Sequence, residues 1–132
     1  MDPIDWRQLE SFSFGDSPEL AAELSALVLA GVKTATCWAV SEGQQTHVGK
    51  RMVMLDGEGT PAAVIETVEL TRRRFDEVDA SFAFDEGEGD RSLAWWRAAH
   101  QRYFTRRGSF APDMELWCER FRLVTRLPAP PD

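Results

Sequence analysis

A helix closed at both ends by its own residues, running straight into a strand, is the feature that most restricts what this chain can fold into. Ser17 supplies a capping hydroxyl, and Pro18 falls in the first turn, where its missing N–H costs nothing. Leu20, Leu24, Leu27 and Val28 follow helical spacing and make one apolar stripe. Gly31 stands where a left-handed residue ends a helix. The spacing predicts a helix over 18–30. Thr34 to Val40, β-branched and aromatic, follows at once and reads as a strand.

The rest of the chain repeats short strands between turn signals. Ser41 to Gly49 is polar and loop-like, and Arg51 to Leu55 is a second strand. Asp56-Gly57-Glu58-Gly59 is a hairpin signal, followed by a third strand from Pro61 to Leu70 with Val64 and Ile65 at its centre. Phe75 to Phe84 is mixed, a loop or short helix. Asp85 to Asp90 is an acidic, glycine-broken loop whose last Asp is placed to cap a helix from about Arg91 to Arg107. Leu93, Trp96, His100 and Phe104 are its expected inward face, and Gly108 stops it. Met114 to Leu127 is a last long strand, and Pro128 to Asp132 a frayed tail. Strands alternating with two main helices predict an α+β fold, most simply a small closed or nearly closed β-barrel. The 132 residues fit one domain, 1–132, with no internal repeat.

Composition narrows the function. Hydrophobic residues make up 43% and aromatics 11%, including five Trp and eight Phe, enough for a core without staples. No run approaches the roughly 18 apolar residues of a membrane span, and the acidic start is not a signal peptide. Cys37 and Cys118, with no C-x-x-C, suit a reducing cytoplasm. His47 and His100 have no partner at metal-ligand spacing, so no metal site is expected from them. The formal charge of −7 argues against coating nucleic acid by charge, since each phosphate contact needs a cation. Nothing in the sequence points to a membrane or a protein partner.

Only two lysines, Lys33 and Lys50, accompany 13 arginines. Lys33 lies in Gly31-Val32-Lys33-Thr34-Ala35-Thr36. One reading is a Thr36 hydroxyl activated by an amine whose pKa burial has lowered. The plain alternative is a solvated Lys after a helix and an ordinary strand Thr. Residues three apart face opposite ways on a regular strand, so the two converge only if the strand starts late and leaves Lys33 in the turn. The acidic segment could turn one carboxylate into a site, with or without a divalent ion, or be a solvated loop. Glu66 alternates with Val64 and Val68, an apolar set that favours an inward side chain with Lys33 as a candidate counter-charge; pointing outward, it would be an ordinary strand carboxylate. Trp38 could stack on a base, and Arg72-Arg73-Arg74 could touch phosphate.

The run from Phe14-Gly15-Asp16-Ser17-Pro18 to Gly31-Val32-Lys33-Thr34-Ala35-Thr36 resembles the start of an ASCH domain. So do Val53-Met54-Leu55-Asp56-Gly57, Pro61 with Val64-Ile65-Glu66-Thr67, and Phe82-Ala83-Phe84-Asp85-Glu86-Gly87-Glu88-Gly89-Asp90-Arg91-Ser92-Leu93 leading into Trp96-Arg97 and His100. The likeness spans about residues 12–125. It implies a PUA-like β-barrel with a cleft beside the first helix and a role with RNA or a modified nucleoside. One branch removes the acetyl group from N4-acetylcytidine with the Lys and second Thr of this motif and a Glu of the acidic segment. The matching positions are Lys33 as base, Thr36 as nucleophile, and Glu86 or Glu88, both candidates because the acidic segment is longer here. Trp38, Lys50, Glu66 and Arg97 are the expected substrate-binding residues. No cofactor is implied for that chemistry. Other members resemble metal-assisted ribonucleases on single-stranded RNA, in which the acidic loop would hold a divalent ion. A non-catalytic RNA-binding module is the remaining alternative.

Overall fold

The computed structural model of the protein describes residues 5–128; the remainder of the proline-rich tail, 129–132, lies outside them. A five-stranded sheet forms the frame, in the order β1-β3-β4-β5-β2. Its strands are β1 (Ser11–Ser13), β2 (Ala35–Ala39), β3 (Arg51–Leu55), β4 (Pro61–Arg74) and β5 (Glu115–Arg126). Only β1 on β3 is parallel; the other three pairings are antiparallel. Among the described residues β1 and β2 remain the two edges, so the expected barrel is an open, curled sheet rather than a closed ring. Two register shifts between β4 and β5, at Val64/Ile65 and Thr67/Glu69, sit where bulges bend a sheet.

Three helices accompany the sheet: α1 (Pro18–Leu29), α2 (Ala80–Glu86) and α3 (Leu93–Arg106). The Ser17 hydroxyl accepts from Leu20 N at 3.1 Å, a cap worth about 1 kcal/mol. The start of α3 differs from the sequence expectation. Its cap is Ser92, which accepts from Trp95 N, while Asp90 accepts from Ser92 N and shapes the turn before it. The segment left as loop or short helix is a 3-10 turn at Phe75–Glu77 followed by α2, capped by Asp79. The short edge strand β1 has no counterpart in the sequence reading; three residues are too few to show a period.

Two apolar clusters divide the interior. Phe75, Phe82, Trp96, Phe104, Leu116 and Cys118 form one, with α2 and α3. Phe14, Leu24, Val28, Met54, Ile65 and Phe121 form the other, with α1. As expected, Trp96 and Phe104 lie on the inward face of α3. Cys37 and Cys118 are register partners across β2 and β5, and both thiols are free. No helix among the described residues is long and apolar enough to cross a membrane.

Candidate functional site

The strand β2 begins at Ala35, which leaves Lys33 in the turn after α1. From there its side chain runs inward until only 1% is exposed. Nζ meets Ala35 O at 2.7 Å, Glu86 Oε1 at 3.1 Å and Glu88 Oε2 at 2.9 Å. An ammonium has three hydrogens, and these three acceptors use them. Glu86, also 1% exposed, takes Trp96 Nε1–H on its other oxygen at 2.6 Å. Burial by itself would push the Lys33 pKa down, but the two carboxylates outweigh it and hold it above its ordinary value. Burial likewise opposes ionisation of Glu86, and Lys33 with His100 reverses this, keeping its pKa below the usual carboxylate value. The pair is therefore ionised on both sides.

Two glycines bring Glu86 and Glu88 to the same ammonium. Gly87 ends α2 with φ 75°, and a Cβ there would stand 2.6 Å from Val32 O. Gly89, with φ 59°, lies against the Trp95 ring, where a Cβ would come within 2.1 Å. Only glycine fits both the backbone and the space. Between them the chain reverses tightly, and Glu88 points back toward Lys33.

This knot borders a cleft of two adjoining lobes. The first, about 230 Å³, reaches Lys33, Glu86, Glu88 and Trp95. The second, about 250 Å³, reaches Thr67, Glu119 and Lys50. Thr36, Cys37 and Trp38 of β2, with Phe14 and Tyr103, line both. The first lobe is mostly aromatic and apolar, and the second is lined by polar and charged groups as much as by apolar ones; concave walls with convergent polar groups are typical of small-ligand sites.

A family model for the ASCH domain matches residues 10–125. The chain belongs to the ASCH domain family. It is similar to the crystal structure of an ASCH domain from Lactobacillus crispatus JV V101, at 34% identity and TM-score 0.81, over 87% of this chain and 79% of that one. It is also similar to protein EF3133 from Enterococcus faecalis V583, at 34% identity and TM-score 0.80, over 89% of this chain and 77% of that one. Hypothetical protein PH0355, at 13% identity and TM-score 0.56 over 77% of this chain and 92% of that one, shares the fold alone. No curated protein matches the chain. ASCH domains are generally regarded as RNA-binding.

Within this ASCH domain, the residues singled out in the sequence fall in three places. Lys33, Thr36, Glu86, Glu88 and Trp38 border the cleft; the Trp38 ring nitrogen donates to Gly43 O at 2.8 Å, which fixes the ring. Lys50 lines the second lobe and pairs with Glu10 at 3.3 Å. Glu66 and Arg97 lie elsewhere. Glu66 stands between its register partners Arg51 and Arg122 and bonds to both, not to Lys33. Its face of β4 continues into Val68, which is 45% exposed, while Ile65 and Thr67 take the interior. Arg97 is exposed and donates to the backbone oxygens of Asp76 and Val78. Neither is placed to meet a ligand in the cleft.

The lowered amine pKa read for Lys33 is likewise corrected, because two carboxylates, not an apolar wall, surround it. The four carboxylates of the acidic segment are engaged by other groups of the chain. Asp85 pairs with Arg120, Glu86 and Glu88 with Lys33, and Asp90 with a backbone N–H. The arginine run at the end of β4 is also engaged, by Glu115, Asp79 and Asp76. Sequence spacing missed that Cys37, Glu86 and His100 meet, with one donor atom from each inside 4.8 Å. Glu86 already serves Lys33 and Trp96, and burial followed by Glu86 pushes the Cys37 thiol well up. A cation there would face an ammonium bound to the same carboxylate. The group therefore fits a hydrogen-bonded core better than a metal centre.

Proposed function

We propose that this ASCH domain binds a single nucleobase, carried by a modified nucleoside or by single-stranded RNA, and hydrolyses an acyl amide on it. The observation that carries this reading is the Thr36 hydroxyl in an aromatic-walled cleft bordered by the Lys33–Glu88 pair. A base seated against Trp38 or Tyr103 gains about 1–3 kcal/mol of stacking. Thr36 Oγ1 attacks the acyl carbonyl carbon, and its proton passes to the Glu88 carboxylate. The C–N bond breaks, and the amine leaves with that proton. Water then opens the Thr36 ester with Glu88 again taking and returning a proton, which releases the acid. Lys33 keeps its proton throughout and holds Glu88 at the cleft; the base role read from the sequence moves to Glu88. The charge of −7 favours a nucleoside or short strand over long RNA.

The test is a panel of N-acylated cytidines and adenosines and labelled single-stranded RNA, with and without EDTA. The expected result is deacylation that EDTA does not affect. Glu88→Gln should lower kcat about 10²–10⁴-fold, the usual worth of a general base, and Thr36→Val should reduce turnover to background. EDTA-sensitive cleavage of RNA would favour the ribonuclease reading instead. A second reading, a binding module without catalysis, draws on one specific observation: among the described residues no hydrogen bond joins Thr36 to Lys33 or Glu88, and the Lys33 hydrogens are all engaged. Nucleoside binding with no turnover of any acyl substrate would establish it.

A further inference from the structure

The second lobe of the cleft ends on a buried polar chain that the reaction above does not use. Thr46, Thr67 and Glu119 are 5%, 2% and 6% exposed. Thr67 Oγ1 donates to Glu119 Oε2 at 2.6 Å and stands 2.7 Å from Thr46 Oγ1. A hydroxyl has one hydrogen, so Thr46 must be the donor to Thr67. Glu119 has no other hydrogen-bond partner and no ion pair among the described residues. Its Oε1 is left free on a wall of the 250 Å³ lobe. Its register partner on the neighbouring strand is Thr36, so the two side chains share one face of the sheet and line the same lobe. Phe12, Met52 and Ile65 are apolar members of the same lining, which also holds Lys50 and Arg107.

A carboxyl this buried, with one neutral hydroxyl donor and no ion pair, is disfavoured in its charged form. We propose that Glu119 is a specificity-determining residue that reads the edge of the bound base as a neutral carboxyl. Oε1–H donates to a ring acceptor, while the second lone pair of Oε2 accepts from an adjacent N–H. The ligand class is a planar heterocycle with an acceptor and an N–H side by side, such as the N3/N4 edge of a cytosine or the N1/N6 edge of an adenine. Burial raises the Glu119 pKa above its ordinary value, against the Thr67 hydrogen bond and the Lys33 charge, which lower it. The inference rests on the reading of the cleft as a nucleobase site and adds which edge enters and what meets it. It also orients the reaction, since an exocyclic nitrogen held by Glu119 lies beside the register partner Thr36.

The experiment is calorimetric titration of the full chain with cytidine and with N4,N4-dimethylcytidine, which keeps the ring and its acceptor but lacks the N–H. The wild type should bind cytidine roughly tenfold or more tightly than the dimethyl compound, the scale of one well-made buried hydrogen bond. Glu119→Ala should weaken cytidine to the level of the dimethyl compound. Glu119→Gln, whose amide also offers one donor and one acceptor, should keep most of the preference. Equal wild-type binding of the two nucleosides would overturn the role of Glu119 and leave the nucleobase reading standing. So would a Gln variant as weak as Ala, or an Ala variant as strong as the parent. No binding of either by the wild type would overturn both. The wild-type comparison needs no variant to fold.

Discussion

Two buried polar groups flank the same strand, and they differ in how completely they are satisfied. Around Lys33 every hydrogen meets an acceptor, and two carboxylates share the one ammonium. Around Glu119 the one partner is the neutral Thr67 hydroxyl, no ion pair forms among the described residues, and one oxygen faces the open lobe. The first is held together by mutual charge, and its Lys33 has no hydrogen left to offer a ligand. The second is held by hydrogen bonds and has one functional atom unused. A motif lysine inside a protein invites a catalytic reading, yet saturation decides what it can do. The group with an unspent bond is the better place to look for recognition.

The largest test of this contrast is Lys33→Met. Removing the ammonium strands the Glu86 charge in the core and should cost about 3–5 kcal/mol in denaturant unfolding. Thr46→Val, at the far end of the neutral chain, should cost only about 1 kcal/mol. Equal losses would mean that the two groups are energetically alike.

The pH dependence should have opposite signs. Glu86 has a lowered pKa in the fold, so its stabilisation is present above the unfolded value of about 4.3 and is lost as pH falls through the folded pKa. Lys33 has a raised pKa, so its share is complete below about 10.4 and is lost as pH rises through the folded value. Urea midpoints from pH 2 to 11 should therefore fall at both ends, and Glu86→Gln should flatten the acid limb. Glu119 behaves inversely to Glu86. The fold binds its proton more tightly, so stability falls as pH rises from about 4.3 toward the folded pKa. Glu119→Gln should remove that decline and gain on the wild type as pH rises from about 4.3 to the folded pKa. A constant difference over that range would mean that Glu119 is ionised like any surface acid.

The smallest effect is expected at Glu66. Its bonds to Arg51 and Arg122 lie on an open face where water screens them. Glu66→Ala should move the unfolding midpoint least of the set and leave nucleoside affinity unchanged. A clear loss of affinity would return Glu66 to the cleft.

Much of the frame was legible because it follows from local periods. Helix α1 was readable from its cap, its stripe and its terminal glycine, and β3 from its run of Met and Val before a hairpin signal. The inward face of α3 was readable from the spacing of Trp96 and Phe104. The late start of β2 was the stated condition for Lys33 and Thr36 to share a site, and the strand does start at Ala35. The Lys33 ionisation state was not legible, because it depends on carboxylates more than fifty positions away. Glu119 gave no motif signal. Its alternation with the buried Phe121 was the one hint, and a Glu in a strand ordinarily faces water.

What the sequence determined by itself were the two main helices, the strands β2 to β5, their order and the residue types of the Gly31-Val32-Lys33-Thr34-Ala35-Thr36 turn. These depend on neighbours within a few positions, where caps, glycines and apolar spacing act directly on the backbone. Tertiary structure alone decided which carboxylates reach Lys33, that Glu66 meets arginines instead, and that Glu119 is enclosed without an ion pair among the described residues. Each of those outcomes depends on the register of β4 and β5 and on the turn through Gly87 and Gly89. Side-chain charge is settled by what lies within a few ångströms in space, and no local pattern along the chain encodes that distance.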